Sequence, residues 1–159
     1  MHASASIRNV SRSLMVYLRD QALGADLVPA DDVTYDTSAA TRFVRVRCDQ
    51  MTSRGAHRLS GDPAELAELT VIAECYARTG EANAVVTVDS ADAIAESVMD
   101  ALRNADVTVS DYTSRVPTSV NAAHTLRFTR PPSLTTLPPA DGWARRIVTA
   151  PGRWVLRHQ

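Results

Sequence analysis

Residues 41–49, TRFVRVRCD, alternate between two side-chain sets without a break. Val44, Val46 and Cys48 fall on one side of an extended chain, and Phe43, Arg45 and Arg47 on the other. A period of two with one dry side is the pattern of a half-buried strand. Such a strand needs a neighbour to pair with and an apolar layer against its dry side. That requirement constrains the fold more than any other stretch of the chain.

Two helical stripes can supply the layer. Over residues 6–23, Ile7, Val10, Leu14, Tyr17 and Leu18 recur at i, i+3, i+4 spacing, while Arg8, Arg12, Arg19 and Asp20 fall elsewhere on the wheel. Ser6 caps this helix and Gly24 ends it. Over residues 90–105, Ala91, Ile94, Ala95, Val98, Leu102 and Ala105 form a second stripe opposite Asp92, Glu96, Asp100 and Arg103. Asp89 or Ser90 is the expected cap, and acids in the first turn suit the helix dipole. Between the helices, residues 25–40 read as a polar connection with room for a short strand near Val33–Tyr35. Residues 50–63, QMTSRGAHRLSGDP, read as a projecting loop.

Residues 64–79 fit two templates. Asp62-Pro63-Ala64-Glu65 has the form of a helix start, with Leu66, Leu69, Ala73 and Tyr76 as its stripe. The same stretch alternates Leu69, Val71, Ala73 and Cys75 against Thr70, Ile72, Glu74 and Tyr76, which would pair it with strand 41–49. Propensity does not separate the two. Further on, HTLRFTR (124–130) alternates as a strand, and PPSLTTLPPADG (131–142) reads as a proline-rich exposed loop. The end, WARRIVTAPGRWVLRHQ, reads as a hairpin over residues 143–158. Pro151-Gly152 would form a type II turn, with Trp154 and Leu156 facing the core.

At 159 residues the chain suits one domain, and 45% hydrophobic content provides for a core. Net charge is −1, so bulk attraction to nucleic acid is not expected. The charge is segregated nonetheless. Residues 26–36 carry Asp26, Asp31, Asp32 and Asp36 without a base, whereas residues 42–58 carry five arginines against Asp49. Residues 115–159 hold seven arginines against Asp141, and all 17 basic residues are arginine. Such blocks pair within a fold or between copies in a symmetric assembly.

Motifs for known chemistries are missing. Without lysine a P-loop is impossible, and no GxGxxG, GxSxG or HExxH occurs. His2, His57, His124 and His158 are scattered, Cys48 and Cys75 lack ligand spacing, and both cysteines read as buried thiols. Asp31-Asp32-x-x-x-Asp36 lacks the glycine and terminal glutamate of a calcium loop. The expectation is a protein without catalytic residues, cofactor or metal. No signal peptide or membrane-length apolar run is visible, so a soluble, cytoplasmically made protein is expected.

The order of elements carries a resemblance. LTVIAECYARTG, followed by an Asp/Ala-rich helix ending in MDAL, resembles the tail terminator (tail completion) proteins of long-tailed bacteriophages. The opening helix SIRNVSRSLMVYLRD and the closing WARRIVTAPGRWVLRH are similar too. The resemblance implies an α+β fold, an antiparallel β-sheet with two amphipathic helices packed on it and a C-terminal β-hairpin. It also implies that residues 68–78 are a strand. The family forms a ring, six-fold by implication, that stops tail-tube polymerisation and docks the head-closure protein. The implied partners are copies of itself, the tail tube protein and the head-closure protein. Genomic DNA would pass through the lumen without specific binding, and the place of action would be the virion neck. Long segments at 106–124 and 131–142 depart from the family pattern. Arg45 and Arg47 on the first strand, with Arg54, His57 and Arg58 in the segment after it, are the candidate interface residues. Two other classes remain: a different head–tail connector subunit, and a small αβ ligand-binding or regulatory module.

Overall fold

A computed structural model describes residues 7–59, 62–79, 84–110 and 125–157; side chains at 7–8, 50–59, 62–67, 84–89 and 154–157 are outside the description. The first helix, α1, runs Ile7–Arg19. A short strand β1 (Asp26–Pro29) leads to two long strands, β2 (Arg42–Leu59) and β3 (Asp62–Arg78). Helix α2 (Ala84–Leu102) follows, then β4 (Asp106–Thr108), β5 (Thr125–Arg127), β6 (Ser133–Ala140) and β7 (Trp143–Arg157). The strands form one seven-stranded sheet in the order β1-β2-β3-β7-β5-β4, with β6 also paired to β7. All pairings are antiparallel except β1 with β2. The α+β class and the mostly antiparallel sheet are thus those that the resemblance implied.

The alternation of β2 decides how the sheet is covered. Val44 pairs with Cys75 and Val46 with Ala73; Cys75 and Ala73 pair in turn with Arg146 and Val148. These positions share one face and join Val10, Leu14 and Leu18 of α1 and Ile94, Ala95, Val98 and Leu102 of α2 in a single core cluster. Both helices thus lie on the same face. Tyr17 ties them together, its hydroxyl donating to the Ala101 carbonyl at 2.6 Å. Arg146 is the exception in this layer. Its guanidinium is buried and donates from Nε to Asp92 Oδ1 of α2 at 2.6 Å.

Residues 62–78 form a strand, so the helix-start signal at Asp62–Glu65 is overruled. Pairing to β2 on one side and to β7 on the other bonds most of the backbone along the stretch, and its alternation matches the dry face of β2. For the same reason residues 50–59 are not a loop. They continue β2, and β2–β3 pairing runs out to Leu59↔Asp62 through register shifts at Asp49/Thr52 and Ser53/Ala56. β7 pairs with β3 as far as Ala64↔Arg157, so the extension is an arm of three strands.

The C-terminal hairpin exists, but it is built differently from the expectation. Residues 143–157 are one continuous strand, and its hairpin partner is β6, the stretch read from its prolines as a loop. The turn is Asp141-Gly142, with φ of 52° and 80°, closing Ala140 onto Trp143. Two successive left-handed residues make a type I′ turn, the form whose twist suits a two-residue hairpin. Pro151 is tolerated mid-strand for a geometric reason. The Thr149 carbonyl faces β6 and accepts from Ser133 Oγ. Two residues on, the Pro151 nitrogen faces the same side, between the last β6 pair at Thr149 and the β5 pair at Arg153. Among the described residues no ladder partner stands there, so the missing N–H breaks none of the described pairings. Gly152 is extended and serves packing: a Cβ would sit 2.9 Å from Leu126 Cδ1. The side chains of Trp154 and Leu156 fall outside the described residues. Of the neighbouring pair, Val148 is buried and Ile147 takes the wetter face.

Three smaller differences follow. The short strand before β2 is Asp26–Pro29 and not 33–35. Helix α2 starts at Ala84, which places Asp89 and Ser90 inside it; β-branched Val85, Val86, Thr87 and Val88 disfavour a helix only slightly. It ends in a turn with Asn104 at φ 53°, a left-handed cap position that asparagine accepts.

Candidate interaction surface

The face of the sheet opposite the helices is the open one. Across it run three rows of neighbours: Phe43–Tyr76–Arg145, Arg45–Glu74–Ile147 and Arg47–Ile72–Thr149. Ile72, Ile147 and Thr149 are half-buried, and no described helix covers them. The arginines lie between rows of acid and apolar side chains. Arg47 Nη1 donates to Glu74 Oε1 at 2.7 Å, and its Nε donates to Asp49 Oδ2 at 3.2 Å. The same Glu74 accepts from the Tyr76 hydroxyl at 2.9 Å. Burial, and then this hydrogen bond to a carboxylate, pushes the Tyr76 phenol up to about 12. It therefore stays neutral.

One end of the open face is closed by an aromatic cluster. Phe43 stacks on Tyr76 with centroids 4.5 Å apart and meets the edge of Trp143 at 5.0 Å. Tyr35 covers Phe43 from the loop before β2, at 5.4 Å. Phe43 is buried with Val28 and Ala40 in a small second cluster, although it belongs to the side of the strand that carries Arg45 and Arg47. Each such ring pair is worth about 0.5–1.5 kcal/mol beyond its buried area.

Arg78 fastens the loop that brings Tyr35 there. Its Nε donates to the Ala40 carbonyl at 2.9 Å and its Nη2 to the carbonyls of Thr37 and Ser38, while its guanidinium lies 4.6 Å over the Trp143 ring. Further fixing is local. Asp32 Oδ1 accepts from the Thr34 hydroxyl at 2.6 Å and amide at 2.8 Å, and Asp36 Oδ1 accepts from the Ser38 amide at 2.8 Å. Those bonds hold both carboxyls below their ordinary range. The Tyr35 hydroxyl donates to Asp26 at 2.7 Å. The Asp31–Asp36 segment is thus an acidic loop in which the Asp32 and Asp36 carboxylates are occupied as turn acceptors. At its tip Val33 is 94% exposed.

The candidate residues are distributed as follows. Arg45 and Arg47 are on the open face; Arg45 lies 5.7 Å from the Phe43 ring, and Arg47 is engaged in the ion pairs above. Arg54, His57 and Arg58 lie on the distal part of β2, at register positions beyond Asp49, and their side chains are outside the described residues. A register shift between Asp49 and Thr52 precedes all three, and Arg54 lies within a second, between Ser53 and Ala56, so sharing a strand with Arg47 does not imply sharing its face. Reasoning from sequence missed Phe43 as a buried residue, Arg78 as a clamp and Val33 as an exposed tip. The Phe43–Tyr76 stack becomes legible only once β2 and β3 are placed in register.

Chemistry at other places is sparse. Among the described residues no three His, Cys, Asp or Glu side chains converge on a point. Cys75 is buried, and desolvation pushes its thiol up to about 12; burial also raises the Cys48 thiol. An open cleft of about 700 Å³ is lined by Asp26, Arg42, Arg78 and Ser90 among others, but Arg42 bonds Ser90 and Arg78 is engaged with the Ala40 carbonyl. No described helix is long and apolar enough to cross a membrane. No protein-family model matches the chain, and no curated protein matches it either.

Proposed function

We propose that the chain is a structural, non-catalytic virion subunit: a tail terminator that forms a ring, six-fold, at the head-proximal end of a long phage tail tube. The observation that carries this reading is the division of the sheet into two unlike faces. One is sealed by α1 and α2; the other is open and continues into the three-stranded arm of β2, β3 and β7. A terminator must match the tube end on one side and present something different on the other, because a repeated surface would continue the tube. The order α1, long β-hairpin, α2, C-terminal hairpin agrees with the resemblance drawn from sequence. The ring itself would close through heterologous contacts by rotation, with about 800 Å² per partner as an ordinary interface size. DNA would pass through the lumen without specific contacts, and the head-closure protein would dock on the far side.

The test is removal of the protein from assembling particles, followed by electron microscopy. Tubes of uncontrolled length without heads are expected. Tails of normal length joined to heads would refute the proposal, whereas normal-length tails left unjoined would favour a head-closure subunit.

A further inference from the structure

Two arginines on the helix side of the sheet reach α2 and are received differently. Arg42 alternates with Phe43 and so shares the side of Val44 and Val46, which the helices cover. Arg146 lies on the same side, opposite Cys75, while Arg42 lies opposite Ala77. Helix α2 meets Arg146 with Asp92 at 2.6 Å, and that buried guanidinium is neutralised. It meets Arg42 with the Ser90 hydroxyl, at 3.3 Å, and no carboxylate pairs with Arg42 among the described residues. That bond leaves most of the guanidinium donors of Arg42 unspent. Arg42 and Ser90 both line the cleft of about 700 Å³ at this end of the sheet. Arg78 adds a second cation to its wall, and the bonds that clamp the loop use Nε and Nη2 and leave Nη1. Asp26 is the one acid of the lining, with Oδ2 already taken by the Tyr35 hydroxyl. Two cations against one anion favour a further negative charge there. Gly24 forms part of the wall, and a Cβ on it would meet nothing within 4 Å, so the space is open on that side.

We propose that this cleft binds a small organic oxyanion, its phosphate or carboxylate group seated on Arg42 with the Ser90 hydroxyl beside it. A guanidinium offers parallel N–H groups that match either anion bidentately. Ser90 Oγ accepts from Arg42, which leaves its own hydrogen for the ligand. The volume exceeds that of a bare anion, so the charged group anchors a larger molecule. Asp26 on the same lining disfavours a polyanion and restricts the ligand to a single small anionic group. The site is independent of the ring reading, which neither needs it nor supplies it.

Titration of the isotope-labelled full-length protein with inorganic phosphate, and separately with acetate, tests it by NMR at constant ionic strength. The expected result is a saturable shift of the Arg42 Nε–H and of the Gly24, Thr41 and Ser90 amides with at least one of the two anions. The anion that binds more tightly names the class, a phosphate ester or a carboxylate. Arg42→Gln should weaken binding about tenfold or more, the worth of a hydrogen bond to a charged group. Arg127→Gln removes the same charge at β5 and should leave the affinity unchanged. Ser90→Asp should abolish binding by giving Arg42 the carboxylate that Asp92 gives Arg146. Unaltered amide positions across Val71–Cys75 show that each variant keeps the fold. Shifts that do not saturate with either anion overturn the proposal. Saturable binding that survives Arg42→Gln, or that falls equally in Arg127→Gln, overturns it too.

Discussion

Gly152→Ala is the sharpest test of how β7 is built. The backbone at Gly152 is not left-handed, so alanine is conformationally acceptable and should gain about 0.4–1 kcal/mol from a stiffer unfolded chain. Against this, the new Cβ would lie 2.9 Å from Leu126 Cδ1 and 3.1 Å from Phe128 Cε1. Both side chains are buried in the core, at 0% and 1% exposure, so neither can swing away freely. Overpacking of this kind costs about 1–3 kcal/mol. The net expectation is a loss of about 1–2 kcal/mol, or several degrees in Tm for a chain of this size, where 1 kcal/mol shifts Tm by about 2–4 °C. Leu126→Ala alone should cost about 2–5 kcal/mol through its cavity. Combined, the two should cost less than their sum by about 1 kcal/mol or more, since the added methyl enters space the leucine vacated. Urea denaturation of the four proteins measures the coupling. Additivity within about 0.5 kcal/mol would refute the packing argument. It would restore the alternative in which Gly152 turns a hairpin, because a left-handed glycine is penalised whatever Leu126 is.

Other expectations are simpler to state. Gly142→Ala should destabilise by about 1–2 kcal/mol, because φ of 80° disfavours an L side chain although the nearest atom, Thr79 Oγ1, is 3.8 Å away; equal stability by denaturation would argue against the type I′ turn. Asp32 and Asp36 have folded pKa values below their unfolded ones, so the order they confer is complete above about pH 3.9 and fades as pH falls through the lower folded values. Amide shifts of Thr34 and Ser38 followed by NMR should move only in that acidic window, and movement near neutrality would contradict the assignment. Arg78→Met should speed amide exchange across residues 37–41 while leaving Val71–Cys75 protected; unchanged exchange in the loop would mean the clamp is not needed. On the proposed terminator reading, Arg54→Ala with Arg58→Ala should lower the yield of finished tails without lowering Tm, and full infectivity at normal tail length would remove both from the candidate interface.

The chain's periodicities determined a good deal by themselves. α1 and the core of α2 follow from apolar stripes, and the start of β2 follows from its alternation, because a side chain's face is set by backbone geometry alone. Segregated charge was legible for the same reason, as position in the chain. What the tertiary structure decided is pairing. Residues 62–78 satisfy helix and strand templates equally; lying between β2 and β7 made the strand the state in which the backbone is bonded on both sides. Local rules pointed to a turn at Pro151-Gly152, yet a gap between β6 and β5 accommodates the missing N–H, and Leu126 and Phe128 occupy the space a side chain would need. The Asp141-Gly142 turn went unread because nearby prolines made 131–142 look like a loop, whereas a strand paired on one side among the described residues tolerates Pro138 and Pro139. Phe43 shows the limit most plainly. It shares a strand face with Arg45 and Arg47, and Val28 and Ala40, with Tyr35, Tyr76 and Trp143 brought in from three other segments, make that end of the face dry. A strand's own sequence specifies which residues face together, whereas whether that face meets water depends on what the rest of the chain brings over it.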